Sequence, residues 1–245
     1  MALILKDYTF VADLHNHTLA CSHAYSTVTE LAQAASERGL IAVGCTDHGV
    51  AVPDAPHGWH FGNLKTLPDY IKGTRVLRGV EANVIGFDGK LDMDENTLGQ
   101  LELVIASMHG GIMPAGSFDQ YTEAWLAVAG NPYVDIIGHS GSPDFAYDYE
   151  AVLPVLAKNG KAVELNEHSF RVRQSSVKNC RQIAEVCKRF GVPVAINSDS
   201  HYHDSVGLFP NCTQMLRELD FPPELIINSS VQNMNSFFSK KGIRF

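Results

Sequence analysis

The chain has 245 residues, 45% hydrophobic and 19% charged, with 20 Gly and 11 Pro scattered along it, too apolar for a disordered chain and too interrupted for a coiled coil. Its net charge of −8, from 19 Lys and Arg against 27 Asp and Glu, argues against broad, sequence-independent binding to nucleic acid. No apolar run approaches the ~18–20 residues needed to cross a bilayer.

A chain of this size can bury a sizeable core without disulfides, and no linker or repeat divides it, so residues 1–245 read as one domain. The opening Met1-Ala2-Leu3-Ile4-Leu5 stretch is short and has no basic lead, so it does not read as a signal peptide. Five cysteines without a C-x-x-C pair suit a reducing compartment, which places the protein in the cytoplasm.

Short apolar runs alternate with segments of helical spacing. Seven strand-like runs fall at 10–14, 41–45, 76–80, 103–106, 134–137, 162–165 and 192–196. They are nearly continuous in apolar residues, as strands buried on both faces are. Between them, Thr27-x-x-Glu30 forms a capping box before a helix that ends at Gly39, and helical patterns occupy 118–129, 148–159 and 175–190, closed by Gly130, Gly160 and Gly191. A last amphipathic stretch runs from Ser230 to Lys240. Repeated β-then-α units predict a (β/α) barrel or a doubly wound sheet.

The anomaly is eleven histidines. His15 and His17 follow the first run, His48 the second, His109 the fourth, His139 the fifth, and Asp199 with His201 the seventh. Glu81 follows the third run, and His23 lies in the first loop. In a parallel barrel those strand ends converge on one mouth, where active sites of this architecture lie. His15/His17 and Asp199/His201 are i, i+2 pairs, each expected to aim two groups at one point. Imidazole with carboxylate suits zinc, iron or manganese without thiolate. Nine such residues exceed the four to six donors one ion takes, so they imply two or three metals with a shared carboxylate.

Asp13-Leu14-His15-Asn16-His17, Thr46-Asp47-His48-Gly49, Gly79-Val80-Glu81-Ala82-Asn83 and Ser198-Asp199-Ser200-His201 resemble the four signature motifs of the PHP (polymerase and histidinol phosphatase) superfamily. Ser22-His23-Ala24-Tyr25-Ser26 and residues 53–61 are further similar to its small stand-alone bacterial phosphatases of the YcdX type. The resemblance spans essentially the whole chain. It implies a distorted seven-stranded (β/α) TIM-like barrel with the metal site at the C-terminal strand ends, three divalent ions (zinc first, manganese or iron as alternatives) and phosphoester hydrolysis. Carried over residue by residue, His15, His17, Glu81 and Asp199 would hold one ion and His23, His48 and His201 a second. Glu81, His109 and His139 would hold the third, with Glu81 bridging. Gly110-Gly111 after His109, and Ser140-Gly141-Ser142-Pro143 after His139, depart from the family pattern and are expected to reshape the substrate rim.

Clustered dications lower the pKa of bound water and clamp phosphoryl oxygens, so attack by a bridging hydroxide needs no protein nucleophile. Glu81, Asp199 and His201 are the expected catalytic residues. The expected substrate contacts are His57 and His60, in a Pro- and Gly-rich loop, Arg78 within the third run, and Arg171, with Arg173 beside it. Asp13 and Asp47 are either orienters of imidazoles or structural carboxylates. The partner expected is a small phosphomonoester rather than nucleic acid or membrane. A nuclease or phosphodiesterase, and a non-catalytic metal-binding sensor or scaffold, are the competing readings, with an adenosine-deaminase-like barrel a further one.

Overall fold

The computed structural model describes residues 7–245, so the Met1–Leu5 stretch lies outside the described residues. Eight strands form: β1 (Ala12–Asp13), β2 (Ala42–Cys45), β3 (Tyr70–Ile71), β4 (Thr74–Asn83), β5 (Leu103–Ser107), β6 (Ile136–Ile137), β7 (Ala162–Asn166) and β8 (Val194–Asn197). Seven run parallel in the order β1-β2-β4-β5-β6-β7-β8, and β3 is a short antiparallel addition to β4. Helices occupy the crossovers, so this is the (β/α)-type barrel and not the open sheet.

Why the runs looked continuously apolar is now visible in β5. Leu103 and Ile105 face the barrel interior, whereas Val104 and Ala106 pack outward beneath the helices. Both faces are dry, so period-two alternation of polarity is lost while alternation of direction persists. Leu14, Leu77, Leu103, Ile105 and Ile136 fill the interior, and Met234 and Phe238 of the helix Val231–Phe238 join the same cluster.

Between β8 and β1 the sheet is closed by side chains and by one parallel bridge beyond the strand ends, where the His17 N–H donates to the Ser200 carbonyl at 2.8 Å. The Leu14 N–H donates to Asn197 Oδ1 at 3.0 Å. Asn228 Nδ2 donates to the carbonyls of Ala12 (2.8 Å) and Ile196 (2.6 Å), and its Oδ1 accepts from the Ile196 N–H at 3.1 Å. One amide thus satisfies backbone groups on both edges that a missing strand would otherwise serve.

The Thr27 capping box forms as expected, with the Thr27 N–H donating to Glu30 Oε2 at 2.7 Å. Gly191 closes the helix Val177–Phe190 in the left-handed region at φ 68°. Gly130 does not: it is the last helical residue, and the extended Asn131 is the cap. The helix Pro210–Glu218 was not expected from the sequence. Among the described residues no helix is long and apolar enough to cross a membrane.

Candidate metal centre

Glu81 lies inside β4 near its C-terminal end, one strand period beyond Leu77 and Gly79 on the inward face. It is fully buried. Its Oε2 lies 2.7 Å from His48 Nδ1, 3.4 Å from His15 Nε2 and 3.5 Å from His17 Nε2. Its Oε1 lies 2.7 Å from His139 Nε2 and 3.5 Å from His109 Nε2. One carboxylate therefore sits among five imidazoles.

Asp199 supports the other side, with Oδ1 3.1 Å from His17 Nε2 and 3.7 Å from His15 Nε2. The His15 and His17 Nε2 atoms are 3.2 Å apart, as the i, i+2 spacing predicted. The Asp199/His201 pair converges for a different reason. β8 has ended at Asn197, and Asp199 adopts φ +52°, so a turned backbone rather than strand alternation sets its direction. His139 is likewise left-handed at φ +26°. Non-glycine residues held there store backbone strain, and such strain concentrates at functional sites. Gly138 beside it must be glycine, because a Cβ would meet Ser107 Oγ at 2.3 Å.

The donor atoms form four overlapping groups among the described residues: His15, His17 and Asp199; His48, Glu81 and His109; His17, His48 and His201; and His17, Cys21 and Asp47. His23 completes the ring system, its imidazole 5.2 Å from that of His48 and 4.9 Å from that of His201. All nine residues expected from the sequence are thus brought to one mouth.

Protonation follows from the crowding. Burial works to raise the Glu81 pKa, but His15, His48 and His109 hold it well below the ordinary carboxylate range. Asp199 is likewise held low, against its burial, by His15 and His17. Burial, reinforced by His48, pushes His17 down to about 3. His109 falls to about 3 through burial, with Glu81 opposing and His139 and His48 adding to the fall. These two imidazoles are neutral at pH 7 and offer lone pairs.

Of the eight buried side-chain polar atoms lacking a hydrogen-bond partner among the described residues, four belong here: His17 Nδ1, His109 Nε2, and His48 Nδ1 with Glu81 Oε2, which lie 2.7 Å apart without hydrogen-bond alignment. Leaving a buried polar atom unpaired costs about 1–3 kcal/mol. Such a concentration fits a coordination sphere better than a packed core.

Comparisons with known proteins identify the family and the fold. The PHP domain profile matches residues 13–168. The chain belongs to the PHP domain family. It is 44% identical over 232 residues to a protein of Acetivibrio thermocellus named probable phosphatase, covering 95% of this chain and 96% of the relative. A Clostridium novyi protein of the same name is 41% identical over 95% and 96% of the two chains. The fold is similar to that of a histidinol phosphate phosphatase from Lactococcus lactis, complexed with zinc, L-histidinol and phosphate (TM-score 0.58, 15% identity, 87% of this chain and 95% of that one). The PHP match ends at His168, and Asp199 and His201 lie beyond it, just after β8.

The PHP site has orienting residues that the sequence reading did not single out. Glu164, inward-facing on β7, accepts from His15 Nδ1 at 2.8 Å, which leaves His15 Nε2 for the cluster. Its oxygens also accept from the His139 N–H (2.8 Å), Asn166 Nδ2 (3.0 Å) and Asn197 Nδ2 (2.9 Å). Asn83 Oδ1 meets His109 Nδ1 at 2.7 Å, and Asp54 Oδ2 meets His23 Nδ1 at 2.6 Å. A charged residue inside the apolar run 162–165 was the available signal for Glu164, since an unpaired carboxylate is not buried there without cause.

Asp13 and Asp47 are buried among hydrogen-bond donors, and Asp47 also stands close to His17 and Cys21 in a group of possible donor atoms. Asp47 accepts from the Thr18 N–H (2.7 Å), Thr18 Oγ1 (2.8 Å) and His60 Nε2 (3.1 Å). Asp13 accepts from the N–H groups of Ser198 (3.1 Å) and Gly207 (2.8 Å), and burial pushes it up to about 6 against those bonds.

A cavity of about 480 Å³ opens over the cluster, lined by His23, His48, His109, His168, Asp199, His201, Arg173 and a short apolar rim. The four expected substrate contacts do not reach it. Arg78 forms a two-pronged pair with Glu102 (2.9 Å on each prong) and meets Asp69 at 3.0 Å, on the far side of β4 from Glu81's neighbours. His57 is exposed against Trp59, and His60 is held by Asp47. Arg171 is exposed and lines a separate depression with Asp204 and Asn211. Arg173 does line the cavity, with Nη1 3.5 Å from Asp199 Oδ2. A groove of about 590 Å³ on the outside of the barrel, lined by Phe118, Tyr149 and Arg189 among others, contains no histidine.

Proposed function

We propose that this chain, a phosphatase by its family and its relatives' names, hydrolyses a small phosphomonoester at a divalent-metal centre in the barrel mouth. The observation that carries the reading is the set of unpaired buried donors around Glu81. His15, His17, Glu81 and Asp199 would hold one ion, His23, His48 and His201 a second, and Glu81, His109 and His139 a third, with zinc first and manganese or iron as alternatives. When bound, such ions activate water near neutral pH and offset phosphoryl charge. The zinc and phosphate in the Lactococcus lactis structure support the same assignment.

The chain's own groups do the rest. Glu81 and Asp199 are the two carboxylates among nine donors, so a loaded centre keeps a positive surplus that favours a dianionic monoester over a monoanionic diester. The His201 Nδ1 faces the Asp199 carbonyl at 3.0 Å, which fixes its tautomer and turns Nε2 to the cavity. Arg173, rather than Arg171, would hold the outer phosphoryl oxygens. On this reading residues 1–245 form one PHP domain. The five cysteines, all free and buried, fit a cytoplasmic protein acting on a metabolite rather than on nucleic acid or a membrane.

The test is a side-by-side assay of the metal-reconstituted protein on an aryl phosphomonoester and the matching diester. Monoester turnover should exceed diester turnover at least tenfold, about 1.4 kcal/mol in transition-state terms. Comparable rates, or digestion of single-stranded DNA, would contradict it.

A further inference from the structure

The cavity wall carries information about the part of the substrate that is not phosphate. Besides the histidines, Asp199 and Arg173, it is built from Ala51, Val52, Pro53, Ile112, Val172 and the two glycines 110 and 111. Val172 is 59% exposed, and Ala51 at the same rim is exposed too. These are apolar side chains held in water beside a polar cluster, which is how the unfilled wall of a binding site looks.

Away from the metal centre, whose positive surplus meets the phosphoryl end, a charged carrier group would find no free counter-charge in the cavity wall. Asp199 is the one carboxylate among the described residues lining the cavity. Its oxygens are already engaged by His17 at 3.1 Å, by Asn166 Nδ2 at 3.1 Å and by Arg173 at 3.5 Å. An ammonium entering the cavity would lose its water without gaining a free anion. A carboxylate or second phosphate would need a second cation, and Arg173 is the single Arg or Lys in that lining. An apolar carrier loses nothing and covers Val52, Pro53, Ile112 and Val172.

We propose that the substrate is a phosphomonoester whose carrier is uncharged and apolar, an aryl or branched alkyl group compact enough for a cavity of about 480 Å³. The proposal rests on the reading that the phosphoryl end meets the histidine cluster. Ile112 and Val172, with Val52 and Pro53, are then its specificity-determining residues.

Binding and turnover separate this proposal from the reading it rests on. Calorimetry on the zinc-loaded protein would compare benzylphosphonate, 2-aminoethylphosphonate and phosphonoacetate, alongside turnover of benzyl phosphate, phosphoethanolamine and phosphoglycolate. Benzylphosphonate should bind at least tenfold more tightly than either charged compound. The exposed position of Val172 lets Val172→Glu fold, which a thermal melt checks, and that variant should narrow the gap to 2-aminoethylphosphonate at least tenfold. Equal affinities, a preference for a charged compound, no binding of any of the three, or a gap untouched by Val172→Glu would overturn the proposal. Selective binding without turnover would sustain it while overturning the phosphatase reading.

Discussion

The two ends of the barrel treat buried charge in opposite ways. At the N-terminal end of the strands, Arg75 and Arg78 share Glu102, with Asp69 alongside. Lys161 donates to the carbonyls of Asn131 and Val134, and Asp135 accepts from the Val104 N–H at 2.9 Å and faces Lys241. Every one of these charges has a partner of opposite sign or a backbone acceptor. At the C-terminal end, Glu81 Oε2 and three buried imidazole nitrogens make no aligned hydrogen bond although five imidazoles crowd that carboxylate, and two non-glycine residues sit at positive φ. Both ends are polar, but only one is self-sufficient. That difference separates charge that holds the fold together from charge kept ready for a ligand.

Exchanging a single carboxylate at each end should expose the contrast most strongly. Glu81→Gln keeps the shape but removes the charge that two cations would share. We expect phosphatase activity to fall by about 10³-fold, roughly 4 kcal/mol, more than for His109→Ala or His139→Ala, with little loss of thermal stability. Glu102→Gln should do the reverse. It leaves Arg75 and Arg78 without their carboxylate and should cost on the order of 2–3 kcal/mol of stability with kcat unchanged. Urea unfolding and steady-state kinetics on both proteins would check this, and equal activity losses at the two ends would erase the distinction.

A smaller effect is expected one layer behind the site. Glu164→Gln weakens the grip on His15 Nδ1 without touching the cluster, and loss of such an outer partner costs about 10–100-fold in metal affinity or activity. Added zinc should restore part of the activity, which a purely structural defect would not allow.

How far these roles could be read in advance depended on how local their causes are. The nine clustered residues were legible because eight lie at or just past the ends of six strands and His23 lies in the loop after the first, and strand order brings them together. Glu164 was harder: its partner His15 stands 149 positions away, across a barrel closure that a strand list does not show. Arg78 looked like a phosphate contact within its run, yet Glu102, 24 residues on, neutralises it. Closure through Asn228 left no pattern, since one amide replaces a strand. The helix Pro210–Glu218 begins with Pro at its first position and is capped from afar, with Glu167 accepting from the N–H groups of Asn211 (3.1 Å) and Cys212 (2.9 Å), so no local capping residue announced it.

A last predicted effect, seen only at alkaline pH, belongs to the paired end. Burial, with Lys240 nearby, pushes Lys161 down to about 8 from 10.5. Its folded pKa is depressed, so between pH 8 and 10.5 the unfolded chain binds the extra proton and stability gains from rising pH. The gain is at most about 1.4 kcal/mol per pH unit. Lys161→Met should lack that slope, and identical slopes in denaturant titrations at pH 8 and 10 would count against a strained ammonium at this end.

The central claim, that the unpaired mouth is a coordination sphere, is tested most directly by counting ions. Elemental analysis of protein purified without chelator should find two to three transition ions per chain, and His15→Ala should lose at least one of them together with activity. One ion or none, with all nine donor residues intact, would contradict the account.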